Sequence, residues 1–309
     1  MKKLVTTNNL SHAEWLKYRK KGIGGSDAGA ICGLNPYRNA INVYADKTSD
    51  EVSEFDNEAM RQGRDLEEYV AKRFCEETGN KVRRANAIFY NEEYPFMFAN
   101  VDRMLVGTNV GLECKTANIY QVDKWKNGEV PAHYMIQCYH YMAVTGADAW
   151  YIAVVILGQE FKYVKIERDN EIIQNLIEIE AKFWNDNVLA KKMPDPDGSK
   201  ASDEIINQYF KKATSKEIIS LEGFDEMLER REDIVGLMGK LDTEKKKIDQ
   251  LIKLYMKESE EAINAKYKIS WKNTETRKLD IDRLKLERPD IYSEYCKMHS
   301  GRRFVVKIA

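Results

Sequence analysis

The chain has 309 residues, 43% of them hydrophobic, which is enough for one large domain with its own core and a smaller appendage. Its 49 basic and 50 acidic residues nearly cancel, which excludes the strong overall positive charge of many nucleic-acid-binding and membrane-binding proteins. Five scattered cysteines, none in a C-x-x-C pair, argue against a disulfide framework and against a zinc or iron–sulfur centre.

The amino-terminal segment lacks the features of a targeting sequence. MKKLVTTNNLSHAEW has two lysines but no apolar run behind them, and no later segment reaches the length of a membrane span, so we expect a cytoplasmic protein. The next segment, RKKGIGGSDAGA, joins basic residues to a glycine-rich turn and to Ser26, which begins a helix-like stretch. Such turns and helix starts present N–H donors to phosphate groups.

Helical and strand-like segments then alternate. We predict a helix from about Asp56 to Thr78, ended by Gly79, and a helix near 131–144. Strands are predicted near 85–106, near 110–116, and in the segments AWYIAVVIL and FKYVKI. This order predicts an α/β fold.

The character of the sequence changes near residue 194. The segment MPDPDGSKASDE is rich in prolines and acids and indicates a linker, so we divide the chain into a core, 1–193, and a mainly helical region, 194–309, with a short β element in KYKISWKNTETRKLD. Apolar residues recur along the helical region as in a coiled coil, at Ile234, Met238, Leu241, Ile248, Ile252 and Tyr255. Fewer than four clean heptads are present, which favours a helix packed on its own chain over an oligomer contact.

A short motif in the core has the pattern of a metal site. The segment GLECKT places Glu113 and Lys115 on one face of a strand, because strand side chains two apart point the same way. A turn at residues 107–109 predicts a hairpin in which Asp102 lies opposite Glu113. Two carboxylates about 5 Å apart repel each other unless a cation lies between them. A divalent metal therefore fits here, with Asp102, Glu113 and the backbone carbonyl of Cys114 as ligands.

The E-x-K pattern occurs elsewhere in the chain without this context. Glu160 has no acid placed opposite it, and Glu180 and Glu244 lie in predicted helices, where residues two apart diverge. Beside a metal, Lys115 can orient or deprotonate a water molecule and offset charge on a phosphate. The alternative interpretation is a solvated acidic pair with an ordinary salt bridge from Lys115 to Glu113. The spacing alone does not decide between the two.

Five segments within roughly residues 11–170 combine into one ordered pattern: WLKYRKKGIGGSDAGAICGLNPYRNAINVYADKTS, RQGRDLEEYVAKRF, FMFANVDRML, GLECKT and AHYMIQCYHYMAVTG. This pattern resembles the YqaJ-like viral recombinase family, which includes the lambda-type phage exonuclease, within the PD-(D/E)-x-K nuclease superfamily. Val101 stands where the superfamily carries a proline, a position that holds no ligand. The resemblance implies a restriction-endonuclease-like core with a central mixed β-sheet flanked by helices, followed here by a mainly helical extension.

The resemblance also implies roles for residues on two helices. Glu67, one turn after Gly63, corresponds to a glutamate at the second metal ion or its water. Gln137 corresponds to a glutamine that lines the active site. Tyr141 lies one turn after Gln137 on the same face, where a phenol can hold the substrate strand. The alternatives are an exposed helix acid for Glu67 and half-buried packing for Tyr141.

A second set of residues matches a phosphate site. Arg19 and Ser26 have the seven-residue spacing of the arginine and serine that bind the 5′ phosphate in the lambda-type enzyme. Asn100 stands in place of a third phosphate-binding residue, a serine, and can still donate through its amide. Strict dependence on a 5′ phosphate is therefore a separate question from nuclease chemistry.

Taken with its motifs, the resemblance implies an exonuclease that degrades one strand of linear double-stranded DNA from the 5′ end and leaves a 3′ tail for strand annealing. It implies two Mg²⁺ ions about 4 Å apart, which Mn²⁺ can replace, and a phage single-strand annealing protein as partner. It also implies a trimeric ring and the cytoplasm of a bacterial host. Two other functions stay open: an endonuclease on the same core, and a non-catalytic DNA-binding scaffold, which the charged helical region alone suggests.

Overall fold

The computed structural model of the chain describes residues 2–49, 57–298 and 301–308. Its contacts form two compact units, Met1–Phe210 and Lys211–Ala309. The helices of the first unit are α1 (His12–Lys20), α2 (Gly25–Ile31), α3 (Ala40–Thr48), α4 (Glu58–Thr78), α5 (Ala132–Thr145), α6 (Asn170–Phe183) and α7 (Lys200–Tyr209). Its strands are β1 (Lys2–Thr6), β2 (Ile23–Gly24), β3 (Val82–Arg84), β4 (Ala87–Tyr90), β5 (Met97–Asn100), β6 (Arg103–Leu105), β7 (Val110–Ala117), β8 (Ala149–Ile156) and β9 (Glu160–Glu167).

A mixed five-stranded sheet forms the centre of this unit. Its order is β3-β6-β7-β8-β9, and all neighbours are antiparallel except β7 and β8, which are parallel. In the β6–β7 hairpin Arg103 pairs with Leu112 and Met104 with Gly111. Asp102 immediately precedes β6, and continuing this register by one residue would place it opposite Glu113, the arrangement that the turn in the sequence predicts.

Helices cover both faces of the central sheet. On one face α4 packs Val70 and Phe74 against Leu112 of β7 and Ala153 of β8. On the other face, α5 and α6 contribute to a larger core around the fully buried Trp150. Because strand side chains alternate, Glu113 and Lys115 lie on the face that α5 covers. The predicted α/β fold, with a central mixed sheet between helices, is confirmed.

A second sheet places the glycine-rich turn beside the first. Its order is β1-β4-β5-β2, with β2 parallel to β5. Ile23 pairs with Met97 and Gly24 with Phe98, so the turn after β2 lies next to the strand that ends at Asn100. This pairing places the start of α2 next to the end of β5, and β6 begins three residues after that end.

The segment predicted as a linker contains the first turn of α7. Asn39, before α3, donates its side-chain amide to Ser202 Oγ at 2.8 Å and to Ser199 Oγ at 2.9 Å, so α7 is bonded to the first unit. The two compact units therefore divide after Phe210, whereas the sequence placed the boundary after residue 193.

The second unit is mainly helical with a short β-hairpin, as predicted. It contains α8 (Asp225–Met256), β10 (Glu261–Ile263), β11 (Lys268–Ser270), α9 (Ile281–Glu287) and α10 (Pro289–Tyr295). Four apolar residues of the α8 stripe are between 42% and 88% exposed: Ile234, Leu241, Ile248 and Tyr255. Within the described residues of the second unit these four side chains are not covered, and the packing of the stripe on its own chain stays a prediction. Across the part of the chain that the structure describes, no helix has the length and apolar character needed to cross a membrane.

A buried ion pair joins α5 to α6. His140 Nδ1 lies 2.8 Å from Glu180 Oε1, and His140 Nε2 lies 2.8 Å from the carbonyl oxygen of Phe98. Burial alone would lower the pKa of His140, but the Glu180 carboxylate outweighs it, with a smaller contribution from Asp27, and the pKa is raised from 6.5. Burial likewise raises the pKa of Glu180 above 4.5, although His140 opposes it.

These raised pKa values predict a pH-dependent stability. Stability from groups with raised folded-state pKa values is present at low pH and is lost as the pH rises through those values. We expect the wild type to have a larger free energy of unfolding than Glu180→Gln. The difference between the two should be largest near pH 6. The difference should shrink above pH 6.5, by at most about 1.4 kcal/mol per pH unit for one proton. Urea unfolding at a series of pH values measures it, and a difference that stays constant from pH 6 to 9 would contradict the assignment.

Candidate active site

A cavity of about 200 Å³ brings together segments of the first unit that are far apart in sequence. Its walls come from α1, α2, α5 and from strands of both sheets. The lining residues are Trp15, Arg19, Gly24, Gly25, Ser26, Ile88, Phe98, Asn100, Asp102, Glu113, Gln137 and Tyr141. Seven of the residues that the sequence singled out therefore share one cavity. Lys115 adjoins it through Glu113, and Glu67 is not part of its lining.

Of the two opposed carboxylates, Glu113 is buried and Asp102 is half-buried. Asp102 Oδ2 accepts the backbone N–H of Cys114 at 2.9 Å. Glu113 Oε1 accepts Lys115 Nζ at 2.6 Å and Gln137 Nε2 at 2.7 Å. Burial raises the pKa of Asp102 well above its ordinary value, and the nearby charges of Glu113 and Glu67 raise it further. The ionised form of Asp102 is therefore disfavoured by its surroundings, and a cation beside it would favour that form.

One oxygen of this pair indicates what the site can bind. Glu113 Oε2 is buried and has no hydrogen-bond partner among residues 2–49, 57–298 and 301–308. A buried carboxylate oxygen without a partner is costly, and a hard divalent cation takes such oxygen ligands. Asp102, Glu113 and the carbonyl of Cys114 therefore fit a Mg²⁺ or Mn²⁺ ion. Nowhere in the described residues do three or more His, Cys, Asp or Glu side chains converge, so the fit rests on two carboxylates.

Lys115 is held by several groups on the α5 side of the sheet. Besides Glu113, its Nζ contacts Gln137 Oε1 at 3.1 Å and lies 4.7 Å from the centre of the Tyr134 ring. Gln137 Nε2 also donates to the Tyr141 hydroxyl at 2.8 Å. Burial alone would lower the pKa of Lys115, but the Glu113 carboxylate outweighs it and the pKa is raised. The lysine is therefore a charged hydrogen-bond donor in this arrangement.

Glu67 is paired with a base in this structure, and its role at a second metal ion stays a prediction. Its carboxylate forms an ion pair with Arg103, which also contacts Glu68 at 2.9 Å and the carbonyl of Asp102 at 2.9 Å. Arg103 pairs with Leu112, whose side chain packs under α4, so this cluster occupies the sheet face opposite Glu113. Sequence reasoning missed Arg103, and the available signal was a basic residue directly after Asp102 in an otherwise apolar strand.

The predicted phosphate-binding residues lie together at the other side of the cavity. Arg19 Nη2 donates to Ser26 Oγ at 2.8 Å, and Ser26 lies in the first turn of α2. The Arg19 guanidinium lies 4.8 Å from the centre of the Trp15 ring, and Trp15 Nε1 donates to Asn100 Oδ1 at 3.2 Å. Trp15, which the sequence did not single out, therefore connects Arg19 to Asn100.

Two glycines let α2 lie directly on α5. A Cβ atom at Gly25 would come within 2.6 Å of Tyr141 Cε1 and 3.0 Å of Gln137 Cγ. A Cβ atom at Gly29, one turn later, would come within 2.8 Å of His133 Cβ. The helix that carries Ser26 is therefore in direct contact with the helix that carries Gln137.

We expect Gly25→Ala to destabilise the protein by about 1–3 kcal/mol, because its methyl group overlaps Tyr141 and Gln137. Gly63→Ala on α4 is the matched control, since its Cβ would meet Thr116 Oγ1 at an ordinary 3.8 Å. This control should be neutral or more stable by up to about 1 kcal/mol. Urea denaturation of the two variants and the wild type measures both values, and equal losses in both variants would refute the close contact.

This chain is similar to known proteins both in its sequence and in its structure. The model of the YqaJ-like viral recombinase domain matches residues 14–148. A Bacillus subtilis (strain 168) protein, uncharacterized protein YqaJ, is 38% identical over 308 residues, covering 98% of this chain and 97% of its own length. The crystal structure of the alkaline exonuclease LHK-Exo from Laribacter hongkongensis matches with a TM-score of 0.51 at 20% identity, over 58% of this chain and 93% of that one.

The structural match confirms the predicted type of fold, because a likeness at 20% identity reports the fold alone. The sequence match does more, since it spans nearly the full length of both chains. Together with the match of the domain model across the segments that build the cavity, it shows that this chain belongs to the YqaJ-like viral recombinase family.

Proposed function

We propose that the chain is a metal-dependent exonuclease that hydrolyses one strand of linear double-stranded DNA from the 5′ end and leaves a 3′ single-stranded tail. One observation carries this proposal: a single cavity holds the opposed carboxylates of Asp102 and Glu113 and also the Arg19–Ser26 pair. The carboxylates suit phosphodiester hydrolysis, and the arginine–serine pair suits a terminal phosphate. Family membership and the alkaline-exonuclease fold support the same class of enzyme.

The residues of the cavity divide the work of hydrolysis. A divalent cation held by Asp102, Glu113 and the carbonyl of Cys114 would supply an activated water molecule and neutralise phosphate charge. Lys115 keeps its ammonium beside Glu113, where it offsets the negative charge that builds up on the phosphate during attack. Gln137 bonds both Lys115 and Glu113, so these groups are in place before substrate binds.

Other residues are assigned to the substrate and to a second ion. Arg19, Ser26 and Asn100 would bind the terminal phosphate, and Tyr141 would contact the substrate strand from the same cavity. Glu67 would contribute to a second ion only after its carboxylate leaves Arg103. That exchange is a requirement of the two-ion version of the proposal.

The activity is tested on an end-labelled linear duplex, with or without a 5′ phosphate. A covalently closed circular duplex is the comparison substrate. With Mg²⁺ or Mn²⁺ we expect the 5′-terminated strand to shorten, faster from a phosphorylated end, while the circle and all samples with EDTA stay intact. Products should carry 5′ phosphates. Cleavage of the circle would contradict an exonuclease and would indicate an endonuclease on the same core. Binding without hydrolysis under every metal condition would contradict an enzyme.

A 3′ tail also defines the proposed partners. We propose a phage single-strand annealing protein as the user of the tail, in the cytoplasm of a bacterial host, and a trimer as the assembly, both supported by the family. Sedimentation equilibrium of the purified full chain at several concentrations should give three times the mass of one chain. A single-chain mass at all concentrations would contradict the trimer and leave the hydrolysis proposal intact.

A further inference from the structure

A buried ion pair lies directly behind the proposed phosphate-binding residues. Lys47 Nζ, on α3, contacts Asp27 Oδ2, on α2, at 2.7 Å, and both side chains are completely buried. Burial alone would raise the pKa of Asp27, but the charges of Lys47, Arg19 and Arg38 outweigh it and hold the pKa far below its ordinary value. Asp27 is therefore ionised at neutral pH, and the pair is a true buried salt bridge.

The hydrogen bonds of this pair reach the backbone of the phosphate-binding segments. Lys47 Nζ donates to the carbonyl oxygen of Arg19 at 3.0 Å. Asp27 Oδ2 accepts the backbone N–H of Gly24 at 3.1 Å. The pair thus fixes the end of α1, where the Arg19 side chain begins, and the residue before α2, two positions ahead of Ser26.

Gly24 lies between the ion pair and the arginine. A Cβ atom on Gly24 would be 3.6 Å from Asp27 Oδ2 and 3.9 Å from Arg19 Nη2. Gly24 also lines the cavity, as Arg19 and Ser26 do. The buried carboxylate and the guanidinium are therefore separated by the width of one backbone segment.

Stability alone does not account for a pair of this kind. Taking two charges out of water costs several kcal/mol per ion, and apolar residues of similar volume are often equally stable in the same place. What an apolar pair cannot supply is a donor for the carbonyl of Arg19 and an acceptor for the N–H of Gly24. Asp27 Oδ1 also accepts Arg38 Nη1 at 3.3 Å, and the remaining polar contacts of the pair described here are directed at these two backbone groups.

We infer that the Asp27–Lys47 ion pair positions Arg19 and Ser26 for a terminal phosphate, and so sets how strongly the protein prefers a 5′-phosphorylated DNA end. This inference rests on the proposed function. Asp27 and Lys47 are positioning residues, because they act through Arg19, Gly24 and Ser26. Losing them should weaken selection of the phosphorylated end more than it weakens contact with the rest of the DNA.

Binding in EDTA tests this inference without hydrolysis. Fluorescence anisotropy of the full chain is measured with one duplex that carries a 5′ phosphate and with its 5′-hydroxyl counterpart. We compare the preference ratio, which is the dissociation constant for the 5′-hydroxyl duplex divided by that for the 5′-phosphorylated duplex. For the double variant Asp27→Asn/Lys47→Met we expect this ratio to fall by about tenfold, the effect of losing one well-placed charge-assisted hydrogen bond. Asp27→Asn alone, which is nearly isosteric, gives a second and milder test of the same ratio.

Glu180→Gln is the matched control, because it also breaks a completely buried ion pair of the first unit, between α5 and α6. It should lower the melting temperature and keep the wild-type ratio. An unchanged ratio in either folded Asp27 variant, an equal fall in the control, or a wild-type ratio of one would overturn the inference. A wild type that prefers the phosphorylated end but never cuts DNA would overturn the nuclease proposal and leave this inference standing.

Discussion

Replacing Lys115 with alanine should reduce metal-dependent hydrolysis of linear duplex DNA by at least about a hundredfold, the usual effect of removing one preorganised donor from a charged transition state. The ammonium of Lys115 contacts both Glu113 and Gln137, so its loss removes the positive charge beside the proposed metal ligands and one bond of the network. Glu113 then loses its cation, and a lower melting temperature should accompany the loss of activity.

Lys165→Ala is the matched control for this experiment. Lys165 also lies two residues from a glutamate on a strand of the same sheet, with Nζ 2.7 Å from Glu167 Oε1, but this pair is exposed on β9. Single-turnover rates with excess protein, at a temperature where circular dichroism shows all variants folded, measure the effect. A Lys115→Ala rate within tenfold of the wild-type rate, or an equal loss of rate in Lys165→Ala, would contradict a role for Lys115 in hydrolysis.

Asp102→Asn and Glu113→Gln should both abolish hydrolysis and yet change stability in opposite directions. The pKa of Asp102 is raised by burial and by Glu113 and Glu67, so its ionised form destabilises the metal-free fold at neutral pH. Asparagine removes that charge and still accepts the N–H of Cys114. Glutamine at position 113 instead leaves Lys115 without its anion. In EDTA we expect Asp102→Asn to melt higher than the wild type and Glu113→Gln to melt lower.

Metal addition completes this prediction. Mg²⁺ or Mn²⁺ should raise the melting temperature of the wild type, because an ion that binds only the folded state stabilises it. The same ions should have little effect on either variant, since each lacks one of the two carboxylates. About 1 kcal/mol corresponds to roughly 2–4 °C for a domain of this size, which differential scanning fluorimetry resolves. An Asp102→Asn variant that melts as low as Glu113→Gln in EDTA would contradict carboxylate repulsion.

The geometry of the hairpin was predictable because its determinants are local. Gly107 adopts a φ of +78°, the conformation that a tight turn requires, and the position of the turn fixes which residues face each other. The end of α4 at Gly79, with a φ of +71°, follows from the same property of glycine. The opposition of Asp102 and Glu113 therefore needed no knowledge of the rest of the fold.

The partner of Glu67 and the buried lysine could not be predicted in this way. Whether Glu67 faces a metal or Arg103 depends on how α4 crosses the sheet, and helix periodicity alone does not fix that angle. Lys47 is one of 49 basic residues, and a lysine on a short helix indicates solvent exposure unless a partner is known. Asp27 becomes that partner only when α2 and α3 pack together. In both cases the missing information is tertiary.

The close contact of α2 and α5 has a consequence for the size of the product. Ser26 and Gln137 lie on two helices that touch through Gly25 and Gly29, so little relative movement is available between them. If the DNA terminus is anchored at one helix and the bond is broken beside the other, the fixed distance between the two helices sets the distance from the terminus to the cut. Each round of cutting should then release a fragment of one constant length, whatever the base sequence.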